Sequence, residues 1–286
     1  MGAKLFVALQ RLLPTLALTG LAHRLAASRH PRLSQWLIGK AIRSFQIDMA
    51  EAANPDPASY DSFNAFFTRA LKSGARPLAP APALASPVDG RVSQLGAIDD
   101  GRIIQAKGSV YSVAELLADP DQAQRYRNGR FATLYLAPAD YHRIHMPLDG
   151  ALEHALYQPG RLLAVNPPTV SAAPRLFARN ERLVCHFRGG PQAPQWSLVM
   201  VGALFVSGLE TRATGVVTPK HGGAPRDFLY DTPPRYERGE EFGRFNYGST
   251  VILLLPAGWH WAPTLEPGQR VRMGEALAMP EGAKTA

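Results

Sequence analysis

The sequence predicts an α+β fold: N-terminal amphipathic helices followed by a β-rich, mainly antiparallel domain. Three observations predict it. Apolar residues recur at spacings of three and four through the N-terminal stretch. Residues 74–87, rich in Ala and Pro, read as a linker. Beyond Ser86 short apolar runs alternate with Gly, Pro and Asp turns at hairpin-like intervals. The expected division is a helical, membrane-associating region over residues 1–80 and a β-rich domain over residues 81–286.

The N-terminal arm carries the charge asymmetry of the chain. Lys4, Arg11, Arg24, Arg29, Arg32, Lys40 and Arg43 precede the first acid, Asp48. The formal net charge is +8, yet beyond the arm 24 basic residues face 23 acidic ones. Leu5, Phe6, Leu9, Leu12, Leu13, Leu16, Leu21, Leu25, Trp36, Leu37, Ile38, Ile42 and Phe45 lie between the charges. Pro14 and Pro31 break the arm into two or three short helices. Its longest uncharged run, residues 12–23, falls short of the ~20 apolar residues of a spanning helix. Basic residues, leucines and a Trp together predict helices lying in the headgroup plane of an anionic membrane. Aromatic side chains are not interleaved with the charges as stacking platforms, which argues against nucleic acid.

The β-rich domain is expected to place strands at 102–106, 132–136, 183–187, 197–205, 211–218, 250–255 and 270–279. A helix is expected over 61–71, and another over 112–117 with Ser112 as cap and Glu115 three residues on. The single cysteine, Cys185, excludes an internal disulfide and falls in a strand pattern that predicts burial. Trp259 and Trp261 read as core residues.

Three places could carry chemistry. Pro87-Val88-Asp89-Gly90 has the form of a β-turn, and Pro147-Leu148-Asp149-Gly150 echoes it. His142 and His145, three residues apart in Asp140-Tyr141-His142-Arg143-Ile144-His145-Met146-Pro147, form the one close histidine pair among eight. Such a pair suits either acid–base work or metal ligation. Gly248-Ser249-Thr250 precedes an apolar strand. A glycine there permits a close approach to its own carbonyl carbon, and a serine at the mouth of a rigid strand can serve as a nucleophile. Asp89, His145 and Ser249 could together make an Asp–His–Ser triad, although spacing does not establish that they meet.

These motifs, in order, resemble the bacterial phosphatidylserine decarboxylases. The resembling segments are Phe66-Phe67-Thr68-Arg69 with Arg76-Pro77, then Ser86-Pro87-Val88-Asp89-Gly90, then Lys107-Gly108-Ser109. Tyr141 to Pro147 and Gly239-Glu240-Glu241-Phe242-Gly243-Arg244-Phe245, running into Gly248-Ser249-Thr250, complete the set. Tyr247 stands where the family often has Leu. The resemblance implies a self-cleaving precursor in which Asp89 orients His145 and His145 deprotonates Ser249. The serine hydroxyl would attack the Gly248 carbonyl, and elimination and hydrolysis would leave a pyruvoyl group at residue 249. The products would be chains 1–248 and 249–286, which stay associated; a homodimer is left open. The pyruvoyl group would then form a Schiff base with phosphatidylserine, releasing CO2 and phosphatidylethanolamine, with His142 as first candidate proton donor and His145 as second. No metal is implied. The expected location is the cytoplasmic face of the cell membrane, peripherally bound. Two other chemistries use the same residues: a serine hydrolase built on Asp89, His145 and Ser249, and a metal-dependent hydrolase with Asp89, His142 and His145 as ligands.

Overall fold

A computed structural model of the chain describes all residues except 1, 107, 190–194, 206–207, 218–222, 247–249 and 284–286. Three helices, Ala3–Leu12, Thr15–Ala26 and Pro31–Phe45, are followed by a mainly antiparallel β-rich region that begins at Leu84–Ala85. Pro14 caps the second helix and Pro31 opens the third, where its missing N–H costs nothing. Among the described residues no single helix is long and apolar enough to cross a membrane; the first two, bent by 83° at their junction, pass that test only as a pair.

The arm is docked by polar anchors. Buried Gln10 accepts from Ala164 N–H at 2.8 Å and donates to Thr169 Oγ1 at 3.2 Å. Buried Thr19 accepts from Phe205 N–H at 3.1 Å. Ile38 and Ala41 of the third helix pack with Phe63, Phe66 and Phe67 in a small separate core. The remaining faces leave Leu5, Leu9, Leu12, Leu13, Leu21 and Trp36 in solvent, Leu12 at 83% exposure.

A nine-stranded antiparallel sheet forms the body. Its order runs Arg226–Leu229, Gly150–Gln158, Arg182–Arg188, Gln195–Val201, Thr250–Leu255, Arg130–Tyr135, Gly90–Ala97 and Arg270–Val271, with Arg235–Tyr236 also on Gly150–Gln158. Two large apolar clusters cover its faces. Thr250–Leu255 lies inside the sheet, bonded to Arg130–Tyr135 on one side and Gln195–Val201 on the other, and all six residues are buried. A continuous apolar run is what a strand covered on both faces requires. A four-stranded sheet, Gly215–Val216, Leu209–Thr211, Glu241–Phe245 and Arg143–His145, carries the histidine motif.

Several elements differ from their expected extents. The helix expected over 61–71 is confined to Phe63–Phe67, capped by Ser62. The strand expected over 211–218 is a hairpin, Leu209–Thr211 and Gly215–Val216, whose turn is tied by Thr214 N–H to Thr211 Oγ1; Thr218 lies outside the described residues. The run 270–279 divides into Arg270–Val271 and Ala276–Pro280, because Gly274 adopts φ 90 beside the Pro77 carbonyl. The strand expected over 197–205 is Gln195–Val201. The short helix Val113–Leu117 has the reciprocal Ser112–Glu115 capping box. Cys185 and Trp259 are buried, and Trp261 donates to Gly96 O at 3.2 Å.

Candidate active site

The aspartate turn is fixed by its own residues before it meets any partner. Ser86 Oγ donates to Val88 O at 2.8 Å, and Gly90 sits where a Cβ would lie 2.5 Å from Tyr135 O. Only glycine allows that approach. Asp89 is buried, and its carboxylate accepts from Arg76 Nε at 2.9 Å, Arg76 Nη2 at 2.6 Å and Met273 N–H at 2.8 Å. Arg76 also donates to Glu51 at 2.7 Å. A forked, charge-assisted pair of this kind holds a carboxylate in one orientation.

The histidine motif starts in a knotted turn. Asp140 Oδ2 accepts from Ala137 N–H at 2.7 Å, while Asp140 N–H donates to Ala137 O at 2.9 Å. Arg270 donates to Asp140 Oδ1 at 2.9 Å. The Phe66-Phe67-Thr68-Arg69 segment supports the same turn from below. Phe67 stacks on the His142 ring with centroids 4.0 Å apart. Thr68 O accepts from Arg143 Nε at 2.9 Å, and Arg69 Nη2 donates to Ala139 O at 3.3 Å.

His142 is fully buried. Its Nε2 lies 3.1 Å from Ala137 O, and a carbonyl can only accept, so Nε2 carries the proton. Nδ1 then presents a lone pair, buried and, among the described residues, without a hydrogen-bond partner. Burial, with Arg69 nearby, pushes its pKa down to about 3, so the ring is neutral at pH 7.

His145 is differently held. Nδ1 lies 2.8 Å from Gly239 O and therefore donates, which leaves Nε2 as the acceptor; Tyr141 Oη stands 2.9 Å from it. Burial lowers the His145 pKa, opposed by the Gly239 hydrogen bond and by Glu241. Backbone pairing brings the motifs together: His145 N–H donates to Pro87 O at 2.8 Å, and Arg143–His145 pairs with Glu241–Phe245, Phe245 N–H donating to His142 O at 3.0 Å.

The expectation that Asp89 fixes the His145 tautomer needs correction. Gly239 O occupies the ring nitrogen that the triad scheme assigns to the aspartate, and the Asp89 oxygens are engaged by Arg76 and Met273. Asp89 bears on His145 as a nearby charge that favours the imidazolium. Nor do Asp89, His142 and His145 converge as a ligand set: among the described residues no group of three or more His, Cys, Asp or Glu side chains could hold a metal ion. Gly248 and Ser249 lie outside the described residues, as do Tyr247, Lys107 and His221. The chain on either side of them is placed. Asn246 donates from N–H to Gly208 O at 3.0 Å and from Nδ2 to Glu210 at 3.2 Å; Thr250 begins the enclosed central strand with a buried Oγ1 that has no partner among the described residues.

Gly239, Arg76 and Tyr141 are the residues here to which sequence reasoning assigned no role. The spacing of Tyr141 and His145, four apart in one motif, was the available signal for the last; nothing in the sequence pointed to a glycine carbonyl.

The site thus defines a β-rich protein in which a strand-borne histidine with a fixed tautomer stands beside the strand that leads to a Gly-Ser-Thr sequence. The family follows from comparison. The model of the family described as phosphatidylserine decarboxylase matches residues 63–279, and one described as PSD matches residues 5–46. Proteins named phosphatidylserine decarboxylase proenzyme are similar over nearly the whole chain. That of Xanthomonas campestris pv. campestris strain 8004 is 51% identical over 282 residues, 96% of this chain and 98% of its own. Those of Xanthomonas oryzae pv. oryzae KACC10331 and Stenotrophomonas maltophilia R551-3 are 51% and 50% identical with the same coverage. The chain belongs to the phosphatidylserine decarboxylase family.

Proposed function

We propose that this chain is the precursor of a phosphatidylserine decarboxylase that cuts itself between Gly248 and Ser249 and converts Ser249 into a pyruvoyl group. The observation that carries the proposal is the pairing of Arg143–His145 with Glu241–Phe245, which sets the histidine motif beside the strand entering the Gly248-Ser249 bond. His145, its Nδ1 proton committed to Gly239, is the base for the serine hydroxyl. The Asp89 carboxylate, clamped by Arg76, stabilises the imidazolium that results.

Two polar atoms, one in the histidine motif and one at the start of the central strand, support the fit of a carbonyl group at the site. Among the described residues His142 Nδ1 and Thr250 Oγ1 are buried and without a partner, and buried polar atoms of that kind call for one that arrives with function. Once formed, the ketone supplies an electron sink for the carbanion left when CO2 departs. The remaining work is proton handling. The serine head group arrives as an ammonium and must lose a proton before its nitrogen is nucleophilic. That proton is shed to solvent, because the neutral, buried His142 ring is too weak a base to hold it; His142 presents Nδ1 as a hydrogen-bond acceptor for the amine and is the first candidate, with His145 second, for delivering a proton to the α carbon after CO2 has left. A positioned proton carrier of this kind is worth about 10²–10⁴-fold.

The arm gives the site access to a lipid that stays in its bilayer. Its exposed leucines and Trp36, with seven basic residues, suit a headgroup plane, and the proposed location is peripheral on the cytoplasmic face of the cell membrane.

Intact-mass spectrometry tests the central claim. The expected result is two chains, the smaller starting at residue 249 with a blocked, pyruvoyl N-terminus, and a single uncut, inactive chain for Ser249→Ala. A wild-type protein that decarboxylates as one unbroken chain refutes it.

A further inference from the structure

His145 cannot take a proton at Nε2 without dealing with Tyr141. Gly239 O fixes the proton on Nδ1, so one lone pair remains, at Nε2, and an imidazole nitrogen accepts one well-aligned hydrogen bond. Tyr141 Oη, 2.9 Å away, occupies that direction. The tyrosine is buried, its ring lies 5.7 Å from the imidazole between centroids, and the Ala137–Asp140 turn just before it is locked at both ends. Neither ring can readily swing aside in a close-packed interior.

We propose that Tyr141 is the immediate proton partner of His145 in self-cleavage, relaying the serine proton to Nε2. The inference rests on the self-cleavage proposed above and deepens it. The Ser249 O–H bond breaks as its oxygen bonds to the Gly248 carbonyl carbon. That proton goes to Tyr141 Oη while the tyrosine's own proton passes to His145 Nε2. The imidazolium returns a proton by the same route to the nitrogen of residue 249 as the C–N bond breaks. An ester and a free amine result, with Tyr141 and His145 restored; no other reactant is consumed. Tyr141 thus stands between the reacting hydroxyl and His145 as a relay residue.

The charged groups facing this pair are Glu241 and Arg143 on the paired strands, Asp89 in the turn and Arg76 behind it. All are retained in the test. Burial raises the Tyr141 phenol well above its ordinary value, so newly translated chain is followed from full length to two pieces between pH 6 and 11. Wild type is compared with Tyr141→Phe, which keeps the ring and removes only Oη, and with 3,5-difluorotyrosine at position 141. Thermal melting checks that each variant is folded. The expected result is a Tyr141→Phe chain that cleaves on the order of 10²-fold more slowly. The fluorinated chain should cleave near the wild-type rate, with the alkaline limb of its pH profile moved to lower pH, because an ionised phenol has no proton to relay. A Tyr141→Phe chain cut within a factor of two of wild type at every pH overturns the inference, and so does a fluorinated chain with the wild-type profile. Ser249→Ala, run in parallel, separates the two claims: normal cutting of that variant sinks self-cleavage by Ser249 itself, whereas an uncut Ser249→Ala beside a normally cut Tyr141→Phe sinks only the relay.

Discussion

Lowering the pH from 7.5 to 5.0 should destabilise the uncut chain through two buried histidines. His142 is held neutral with a pKa near 3, by burial and the neighbouring Arg69; His186 is at about 4, by burial and the neighbouring His154. His186 Nδ1 lies 2.7 Å from Ser197 Oγ, and its Nε2 is buried without a partner. An unfolded histidine titrates near 6.5. Below that value the unfolded chain takes up protons that the folded chain refuses, so stability is complete above pH 6.5 and falls as the pH drops toward the folded values. Integrated from pH 7.5 to 5.0, each histidine costs about 2 kcal/mol and the pair about 4 kcal/mol. That is a large part of a typical total of about 5–15 kcal/mol. The assay is urea unfolding of the Ser249→Ala chain at both pH values, alone and with His142→Gln or His186→Gln. Each glutamine lowers absolute stability, but the quantity of interest is the pH-dependent loss, which should shrink by about 2 kcal/mol per substitution. An undiminished loss in both variants refutes the assignment of two neutral buried imidazoles.

Arg76→Leu removes the forked partner of buried Asp89 and should cost about 3–5 kcal/mol, lowering the melting temperature by on the order of 10 °C; a shift under about 2 °C contradicts the clamp. Gly243→Ala would place a Cβ 2.3 Å from Glu210 O, in the strand pair leading to the cleavage bond. It should destabilise by about 1–3 kcal/mol and slow self-cleavage, whereas Gly96→Ala, whose nearest contact would be 3.5 Å to Phe131, should do neither; equal behaviour of the two variants by melting and gel assay counts against the geometry. Leu12 and Trp36 are exposed at 83% and 56%, so Leu12→Asp with Trp36→Asp should leave the melting temperature unchanged and abolish salt-sensitive pelleting with anionic vesicles. Unaltered pelleting removes the arm from the membrane contact.

Local chemistry was the legible part. Pro14 and Pro31 divide the arm because proline ends or opens a helix wherever it stands, and Ser112 with Glu115 caps a helix through contacts three residues apart. Strand existence after Ser86 was legible from turn residues, but extents were not. The turn after Thr211 and the Gly274 bend are set by a side-chain hydrogen bond and a carbonyl contact with distant Pro77, neither visible as periodicity. In the site, residue types pointed to Asp89, His142 and His145. Two of their partners lay far away in sequence: Gly239 is 94 positions from His145, and Met273 is 184 from Asp89. A backbone carbonyl or N–H has no signature in the alphabet of side chains, and so the Asp89–His145 contact was expected where a glycine carbonyl stands.

The enclosure of Thr250–Leu255 has a further consequence. New chain ends ordinarily fray, because nothing grips them on both sides. Scission between Gly248 and Ser249 would create an end one residue ahead of a strand already woven into the fabric: eleven neighbour pairings link Thr250–Leu255 to residues of the long fragment. Arg270 on Asp140, Met273 on Asp89 and Trp261 on Gly96 add cross-stitches farther along the short one. Severing the covalent thread therefore leaves the weave intact, and the short fragment stays stitched in place from Thr250 onward.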